Sequence, residues 1–270
     1  MPRRTSYRPG VPCWVDCITP DLTGAQRFYG DLFGWEFADE GGNYRLAVLD
    51  GELIGGLGTA PPGRWSGAAW NVYLATKDAD RTRADVEDLG GTVVMGPVPA
   101  GEDGRLFLAV DPQGAPVGFW EGHHAQGVVL ADEAGAVCGH DLVVPRADAA
   151  ERFYGGLFGF RTGRHQADAA DATDTSDAAD ATDTSDAADG ADDEGRLTLD
   201  LHGTAWAGLV EDPAAQPGWI PYIGVQDLAA SQAAALAAGA QLVGRPTGTR
   251  TVLRDPWGAV FGMTRPSAQV

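Results

Sequence analysis

The chain of 270 residues has few cysteines, few basic side chains and no long hydrophobic run, and each scarcity excludes a class of protein. Three cysteines are too few, and odd in number, for a disulfide framework, and no CxxC pair suggests a zinc site. No apolar run approaches the roughly 18 residues that a membrane span needs. Residues 1–10 are basic but lack the apolar stretch of a signal peptide, so we expect a cytoplasmic protein.

Acidic residues outnumber basic ones by 38 to 19, which gives a formal net charge of −19. Residues 167–194 carry eleven of the acids and no Lys or Arg, and the nonapeptide DATDTSDAA occurs there twice in tandem. We expect this insertion to be disordered because it has almost nothing to bury, and an expanded repeat is favoured over a calcium-binding or partner-binding tract. The remaining charge of −8 disfavours nucleic acids and anionic membranes as partners.

An internal repeat organises the rest of the chain. The segment RFYGDLFGWEF at 27–37 returns as RFYGGLFGFRT at 152–162, an offset of 125 residues. A block containing Trp70 and Tyr73 returns at an offset of 149, over Trp219 and Tyr222. The turn DPQGA at 111–115 returns as DPWGA at 255–259, an offset of 144. Because the blocks keep their order, we infer a duplicated domain of about 130 residues.

Each half of the repeat shows the same succession of short strands and a helix, twice over. Residues 11–19 alternate as a strand does, and the apolar residues that follow recur at helical spacing until Gly34. Short strands come next, and the pattern restarts at residue 69 with a strand and a helix capped by Asp78. We therefore predict an α+β fold of four βαβββ modules, in two domains at 1–121 and 138–270 with a linker at 122–137.

The motif FYxxLFGW at 28–35, its echo FYxxLFGF at 153–160 and the two DPxGA turns resemble those of the vicinal oxygen chelate superfamily. This superfamily contains glyoxalases, bleomycin-resistance proteins and extradiol dioxygenases, and the chain is most similar to its tandem-domain actinobacterial members of the glyoxalase-like or hydroxylase type. The resemblance implies two eight-stranded open barrels, each with a concave ligand pocket and outer helices. It implies no single function, since members include isomerases, dioxygenases, epimerases, thiol transferases and proteins that only sequester antibiotics.

The resemblance also implies three positions where a divalent metal would be held. In the first half these positions fall on Trp14, on Trp70 or Asn71, and on Gly118. In the second half they fall on Gly139, on Trp219 or Ile220, and on Gly262. Divalent metals at such sites need imidazole or carboxylate lone pairs, which these residues do not supply. We therefore expect no bound metal and no other cofactor.

Two aspartates are the candidate catalytic residues. Strand alternation places Trp14 and Asp16 on one face, which the resemblance makes concave, and Cys13 and Cys17 on the other, under the helices. A carboxyl group in an apolar cleft has a raised pKa and can serve as a general acid or base, so Asp16 and its repeat Asp141 are candidates for that role. A structural acid bonded to the backbone is the equal alternative.

The candidate ligand-binding residues are Trp14, Asp16, Trp70, Tyr73, Trp219 and Tyr222, and core packing is the other explanation of Trp70 and Trp219.

Two hypotheses of function follow. The first is a metal-independent, glyoxalase-like protein that binds a small molecule in specialised metabolism or antibiotic sequestration. The alternative is a lyase, isomerase or hydrolase that uses Asp16 or Asp141 with a tyrosine, and the sequence leaves open whether the protein is an enzyme. We expect the ligand in the first domain, because Gly139 replaces Trp14 in the second and the acidic insertion lies beside the second cleft. We also expect a monomer, because duplication supplies the second domain covalently.

Overall fold

The computed structural model describes residues 3–39, 42–59, 67–164 and 197–266. The acidic insertion at 167–194 lies outside these residues, so its expected disorder stays a prediction. Within the described ranges, no helix has the length and apolar character needed to cross a membrane.

The first half of the chain folds as two consecutive βαβββ modules. The first consists of β1 (Pro12–Ile18), α1 (Leu22–Phe33), β2 (Glu36–Asp39), β3 (Tyr44–Leu49) and β4 (Glu52–Gly58), and the second of β5 (Ala69–Thr76), α2 (Ala79–Asp88), β6 (Thr92–Ala100), β7 (Gly104–Val110) and β8 (Pro116–Gly122). The eight strands form one mixed sheet in the order β2-β3-β4-β1-β5-β8-β7-β6. Because β1 and β5 are antiparallel neighbours, the two modules join at the middle of the sheet.

The second half repeats this arrangement. Its elements are β9 (Val137–Val144), α3 (Ala147–Phe158), β10 (Arg161–Arg164), β11 (Leu197–Leu201), β12 (Thr204–Glu211), β13 (Gly218–Gly224), α4 (Leu228–Ala237), β14 (Gln241–Leu242), β15 (Arg250–Arg254) and β16 (Val260–Thr264). The strand order is β10-β11-β12-β9-β13-β16-β15-β14. The predicted α+β fold of four modules in two tandem eight-stranded domains is confirmed, and the sheets are open rather than closed barrels. The domain limits 1–121 and 138–270 and the linker 122–137 stay predictions.

Local sequence signals explain where α1 begins and ends. The carboxylate of Asp21 accepts a hydrogen bond from the backbone N–H of Gly24 at 2.9 Å and caps the start of the helix. At the other end Gly34 adopts a left-handed conformation with φ of 74°, which glycine takes without steric cost. Between these two ends the aromatic residues Phe28, Tyr29 and Phe33 are buried.

Helices and sheet faces of the two domains build one shared hydrophobic core. Helix α1 contacts α4, α2 contacts α3, and β5 contacts β13. Phe28 of α1 lies edge-on against Trp257 and Phe261 of the second domain, with ring centroids 6.1 and 6.2 Å apart. Aromatic pairs of this kind stabilise beyond the area that they bury. The domains thus meet through their helix-bearing sides, which leaves the opposite face of the first sheet available for a site.

Two hydrogen-bonded chains cross from one domain to the other inside this core. Trp70 Nε1 donates to Tyr29 Oη at 3.0 Å, and that phenol donates to Asp255 Oδ2 at 2.8 Å. The second chain repeats the first with the domains exchanged: its members are Trp219, Tyr154 and Asp111, at 3.1 and 3.3 Å. The FYxxLFG tyrosine of each domain therefore binds the DPxG aspartate of the other.

Candidate functional site

Asp16 lies in β1 at the centre of the first sheet. The pairing of strands places it beside Gly56 of β4 on one side and Asn71 of β5 on the other. Its side chain is buried, with 5% exposed. A buried aspartate needs hydrogen-bond partners, because removing a carboxylate from water without compensation is costly.

Three neutral donors hold the Asp16 carboxyl group. Asn71 Nδ2 donates to Oδ1 at 2.8 Å, and the phenols of Tyr73 and Tyr44 donate to Oδ2 at 3.0 and 3.2 Å. Trp14 Nε1 in turn donates to Tyr44 Oη at 3.1 Å, so the indole, the phenol and the carboxyl group form one chain. The hydrogen bonds to Asp16 thus come from an amide and two phenols and not from a cation.

This environment makes Asp16 a group that titrates near neutral pH. Burial raises the pKa of Asp16 to about 6, although the hydrogen bonds from Asn71, Tyr73 and Tyr44 lower it. Burial and the nearby Asp16 charge raise the pKa of the Tyr44 and Tyr73 phenols well above the ordinary value. The phenols therefore keep their protons and act as donors, while the carboxyl group can gain or lose a proton.

A cavity of about 390 Å3, which we call the Asp16 cavity, opens in front of this cluster. Its walls are mostly aromatic and aliphatic, and the residues that shape it are Trp14, Tyr44, Leu46, Leu53, Leu106 and Trp120. The exposed Asp103 also lines it. Ligand sites commonly combine such apolar walls with a small number of polar anchors.

Glycines beneath the two tyrosine rings allow the cluster to form. A Cβ atom at Gly118 would overlap the ring of Tyr73, and one at Gly56 would overlap the hydroxyl end of Tyr44. Any side chain at these positions would push a phenol away from Asp16. The glycine at the third metal-ligand position therefore makes room for an aromatic ring.

The residues at the implied metal position do not fit a divalent ion. Strand pairing puts Tyr73 between Trp14 and Gly118 in one row across the sheet, so the second position of the row is Tyr73 rather than Trp70 or Asn71. An indole, a phenol and a glycine supply neither imidazole nor carboxylate, and the Tyr73 ring fills the space over Gly118. Within the described part of the chain, no group of three His, Cys, Asp or Glu side chains could hold a metal ion.

The second domain has kept the aspartate but changed its partners. Tyr222 donates to Asp141 Oδ2 at 2.8 Å, as Tyr73 does to Asp16, but the guanidinium of Arg250 also lies 3.4 Å from Asp141 Oδ1. Arg250 additionally lies over the Tyr222 ring, 5.1 Å from its centroid. The other neighbours have diverged as well, since Gly139 stands at the position of Trp14 and Ile220 at that of Asn71.

The structure brings together some of the expected site residues and not others. Trp14, Asp16 and Tyr73 meet in the Asp16 cavity, and Tyr222 meets Asp141. Trp70 and Trp219 lie apart from both aspartates, buried in the shared core where they donate to Tyr29 and Tyr154. Their contacts in the structure are therefore those of core residues, and a role of either tryptophan in ligand binding stays a prediction.

Sequence reasoning missed Tyr44, Trp120 and Arg250. Tyr44 starts a short strand, and the sequence does not show which strands become its partners in the sheet. Trp120 lies on the last strand of the first domain, and no motif marks it as a site residue. Arg250 could have been found, because the DPxGA offset of 144 residues places it directly over Leu106. The expectation that Cys13 packs under the helices is wrong: a register shift between Pro12 and Trp14 turns Cys13 toward Tyr73 and Ala75.

Comparisons with known proteins agree with this architecture. A family model described as a glyoxalase-like domain matches residues 136–264. The CFP32 protein of Mycobacterium tuberculosis, which carries a provisional glyoxylase name, is 33% identical over 285 positions that cover 100% of both chains. The anthracycline biosynthesis protein DauV of Streptomyces sp. strain C5 is 30% identical over 286 positions, which cover 96% of this chain and 94% of DauV.

Two solved structures share the fold at low sequence identity. The Mn(II)-bound glyoxalase from Novosphingobium aromaticivorans superposes with a TM-score of 0.61 and 17% identity, covering 97% of this chain and 84% of its own. An extradiol ring-cleaving dioxygenase from B. fuscum superposes with a TM-score of 0.60 and 13% identity, covering 98% and 74%. At these identities the likeness concerns the fold alone.

Proposed function

The chain belongs to the glyoxalase-like family of the vicinal oxygen chelate superfamily, and we propose that it binds a planar aromatic small molecule in the Asp16 cavity without a metal ion. The observation that carries the proposal is an apolar, aromatic-walled cavity with one buried cluster of neutral donors around a single carboxyl group. Such a cavity holds a flat apolar body by stacking and orients it through one polar group.

The charges at the cavity select against anionic ligands. Asp16 is mostly ionised at pH values above its pKa of about 6, and the exposed Asp103, a second acidic residue, also lines the cavity. An ionised Asp16 would accept a hydrogen bond from a ligand hydroxyl group, and the protonated carboxyl group would donate one to a ligand carbonyl group. The name of DauV ties that relative to anthracycline biosynthesis, which supports a polycyclic aromatic ligand and a role in specialised metabolism or sequestration.

The first domain is favoured over the second as the ligand-binding domain. In the second domain a guanidinium lies against the aspartate, and Gly139 and Ile220 stand where the first domain has Trp14 and Asn71. The counterpart of the Asp16 cluster therefore lacks the same anchors for a neutral ligand.

A titration with a dihydroxyanthraquinone tests ligand binding, read by quenching of tryptophan fluorescence. Leu106→Trp fills the Asp16 cavity and should weaken binding by about tenfold or more. Leu242→Trp is the matched control, because it adds the same indole at an exposed position on β14, 42% exposed and far from the cavity lining. Equal affinities of the two variants would contradict binding in this cavity.

The same titration distinguishes the domains. Asp16→Ala should weaken binding by about tenfold, whereas Asp141→Ala should leave the affinity within about twofold, roughly 0.4 kcal/mol. The reverse result would mean that the second domain carries the ligand.

A second candidate function is general acid–base catalysis in the same cavity, favoured by the convergence of Asp16, Tyr44 and Tyr73. An ionised Asp16 could take a proton from a carbon next to a carbonyl group. The electron pair of that C–H bond would form the C=C bond of an enolate while the π pair of the carbonyl group moves to its oxygen. A phenol would stabilise the enolate oxygen, and Asp16 would return the proton to carbon in an isomerisation.

Hydrogen exchange tests this alternative directly. The protein is incubated with α-tetralone in D2O, and deuterium at the carbon next to the carbonyl group is measured by NMR. Catalysis by Asp16 predicts faster exchange with the wild type and with Asp141→Asn than with Asp16→Asn. Exchange at the uncatalysed rate with the wild type would remove this candidate for aryl ketones and leave the binding proposal intact.

A further inference from the structure

A second cavity, of about 300 Å3, lies between the first strands of the two domains. Residues at the start of β1 and of β9 line it, together with the N-terminal segment, the connection between the domains and β12. The aromatic residues that line it are Tyr7, Trp14 and Trp206, and the lining residues Thr204 and Ala205 are exposed. Among the described residues, only Trp14 lines both this interdomain cavity and the Asp16 cavity.

The charged groups of the interdomain cavity compensate each other. Arg4 forms an ion pair with Asp132 at 2.5 Å, and its guanidinium lies 5.5 Å from the centroid of a Trp206 ring. Burial raises the pKa of the Cys138 thiol to about 12 and that of the Cys13 thiol further still, so neither sulfur carries charge at neutral pH. The cavity therefore suits a neutral molecule, because a charged one would enter without a counter-ion.

His140 supplies the polar group of this cavity. Its imidazole is partly buried and lines the cavity, and no described residue forms a hydrogen bond with it. Burial, with a smaller contribution from Arg4, lowers the pKa of His140 to about 3, so the imidazole is neutral and offers one donor and one acceptor. A neutral imidazole without a partner among the described residues is available to bond a ligand hydroxyl or carbonyl group.

We propose that the interdomain cavity is a second binding site, for a neutral aromatic molecule whose hydroxyl or carbonyl group hydrogen-bonds His140. The aromatic walls bind the apolar body of such a molecule, and the imidazole completes its polar contact. The proposal does not depend on the Asp16 cavity, because the two cavities have only Trp14 in common.

Gly139 is a position at which the cavity can be filled by a larger side chain. It lines the cavity where the first domain has Trp14, and a Cβ atom there would meet no other atom within 4 Å. Its φ lies outside the left-handed region, so another residue adopts the same backbone. Gly218 has the same two properties but does not line the cavity, which makes it the matched control.

The test counts bound naphthol molecules by isothermal titration calorimetry of the full chain. Gly139→Leu should bind one naphthol fewer than the wild type, and Gly218→Leu should match the wild type. Ala205→Leu fills the cavity from an exposed lining position and serves if Gly139→Leu does not fold. Identical binding by the wild type and a folded filling variant would overturn the proposal. Loss of binding in Leu106→Trp alone would concern only the Asp16 cavity.

A second measurement tests the role of His140. His140→Phe keeps the aromatic bulk but removes the hydrogen bond, so it should weaken naphthol at this site by about fivefold. Naphthalene, which lacks the hydroxyl group, should bind His140→Phe and the wild type alike. If His140→Phe weakened the binding of naphthol and naphthalene equally, His140 would act only by filling space, and the proposed hydrogen bond would be overturned.

Discussion

Arg250 of the second domain stands at the position that Leu106 occupies in the first, and this difference gives two aspartates at repeated positions unlike neighbours. Asp141 has a guanidinium 3.4 Å away, whereas Asp16 faces an apolar wall that includes Leu106 and accepts hydrogen bonds from neutral groups. A cation beside a carboxylate compensates its charge, and an apolar wall leaves that charge costly to bury. The aspartate is therefore present in both domains, but it lies beside a cation in the second domain and beside an apolar wall in the first.

Substituting Leu106 by Arg, or Arg250 by Leu, should give each aspartate the electrostatic environment of the other. Leu106→Arg should lower the pKa of Asp16 below its value of about 6, because a cation favours the ionised carboxylate. The carbon-13 NMR shift of the Asp16 carboxyl group, followed against pH, measures this pKa. The reciprocal variant Arg250→Leu should reduce the free energy of unfolding at neutral pH by about 3 kcal/mol, since it removes the cation from a buried carboxylate. An unchanged Asp16 titration in Leu106→Arg would contradict the equivalence of the two positions.

Asp16 should also make stability depend on pH in an unusual direction. The folded pKa of about 6 exceeds the ordinary value of 3.8, so between these pH values the folded state binds more protons than the unfolded state. The free energy of unfolding should therefore fall as pH rises from about 4 to about 6, by roughly 3 kcal/mol from this residue. Urea unfolding of the wild type and Asp16→Asn isolates the effect, because the difference between their free energies of unfolding should change between about pH 4 and about pH 6.

Asn71→Leu provides the control for that measurement. It removes a hydrogen bond that lowers the pKa of Asp16 and should move the window to higher pH. Parallel curves for the wild type and Asp16→Asn at every pH would contradict a raised pKa.

The reciprocal tyrosine bonds between the domains should contribute measurably to stability. Tyr29→Phe leaves Asp255 Oδ2 and the Trp70 indole without the phenol that binds both, and Tyr154→Phe does the same to Asp111 and Trp219. We expect each variant to lose about 2 kcal/mol in urea unfolding. Tyr29→Phe should lose more, because its bond to the aspartate measures 2.8 Å against 3.3 Å in the other domain. A loss close to zero in both would mean that the phenols do not stabilise the domain contact.

We predict that the two domains hold no stoichiometric divalent metal. The row across the first sheet consists of Trp14, Tyr73 and Gly118, and the aligned row in the second sheet contains Gly139, Tyr222 and Gly262. Elemental analysis of tag-free protein measures the content. One zinc, iron, nickel or manganese ion per domain, lost in Asp16→Ala, would refute the prediction.

The protein should be a monomer at micromolar concentration. The helix-bearing sides of the two domains already cover each other within one chain, through contacts such as Phe28 with Phe261. Light scattering should therefore return a mass near 28.2 kDa. Twice that mass would require a further contact surface.

Much of the fold could be predicted from the sequence because the repeat displays each signal twice. Gly34 and Asp78 mark helix ends by local chemistry, so they act as the sequence suggests. The direction of Asp16 followed from alternation along one strand. Cys13 did not, because a bulge beside it interrupts that alternation. Tyr44 and the tryptophans depend on which strands become neighbours, and that is decided by contacts between segments far apart in the chain.

Trp14 has a thermodynamic consequence because this residue lines two cavities at once. A ligand that moves Trp14 in one cavity alters the shape of the other, so the two occupancies would be linked through one residue. Linkage is reciprocal, and each molecule must change the affinity for the other by the same factor. The affinity for each molecule would then depend on the concentration of the other. Whether one molecule strengthens or weakens binding of the other is set by the position that Trp14 takes when one cavity is filled.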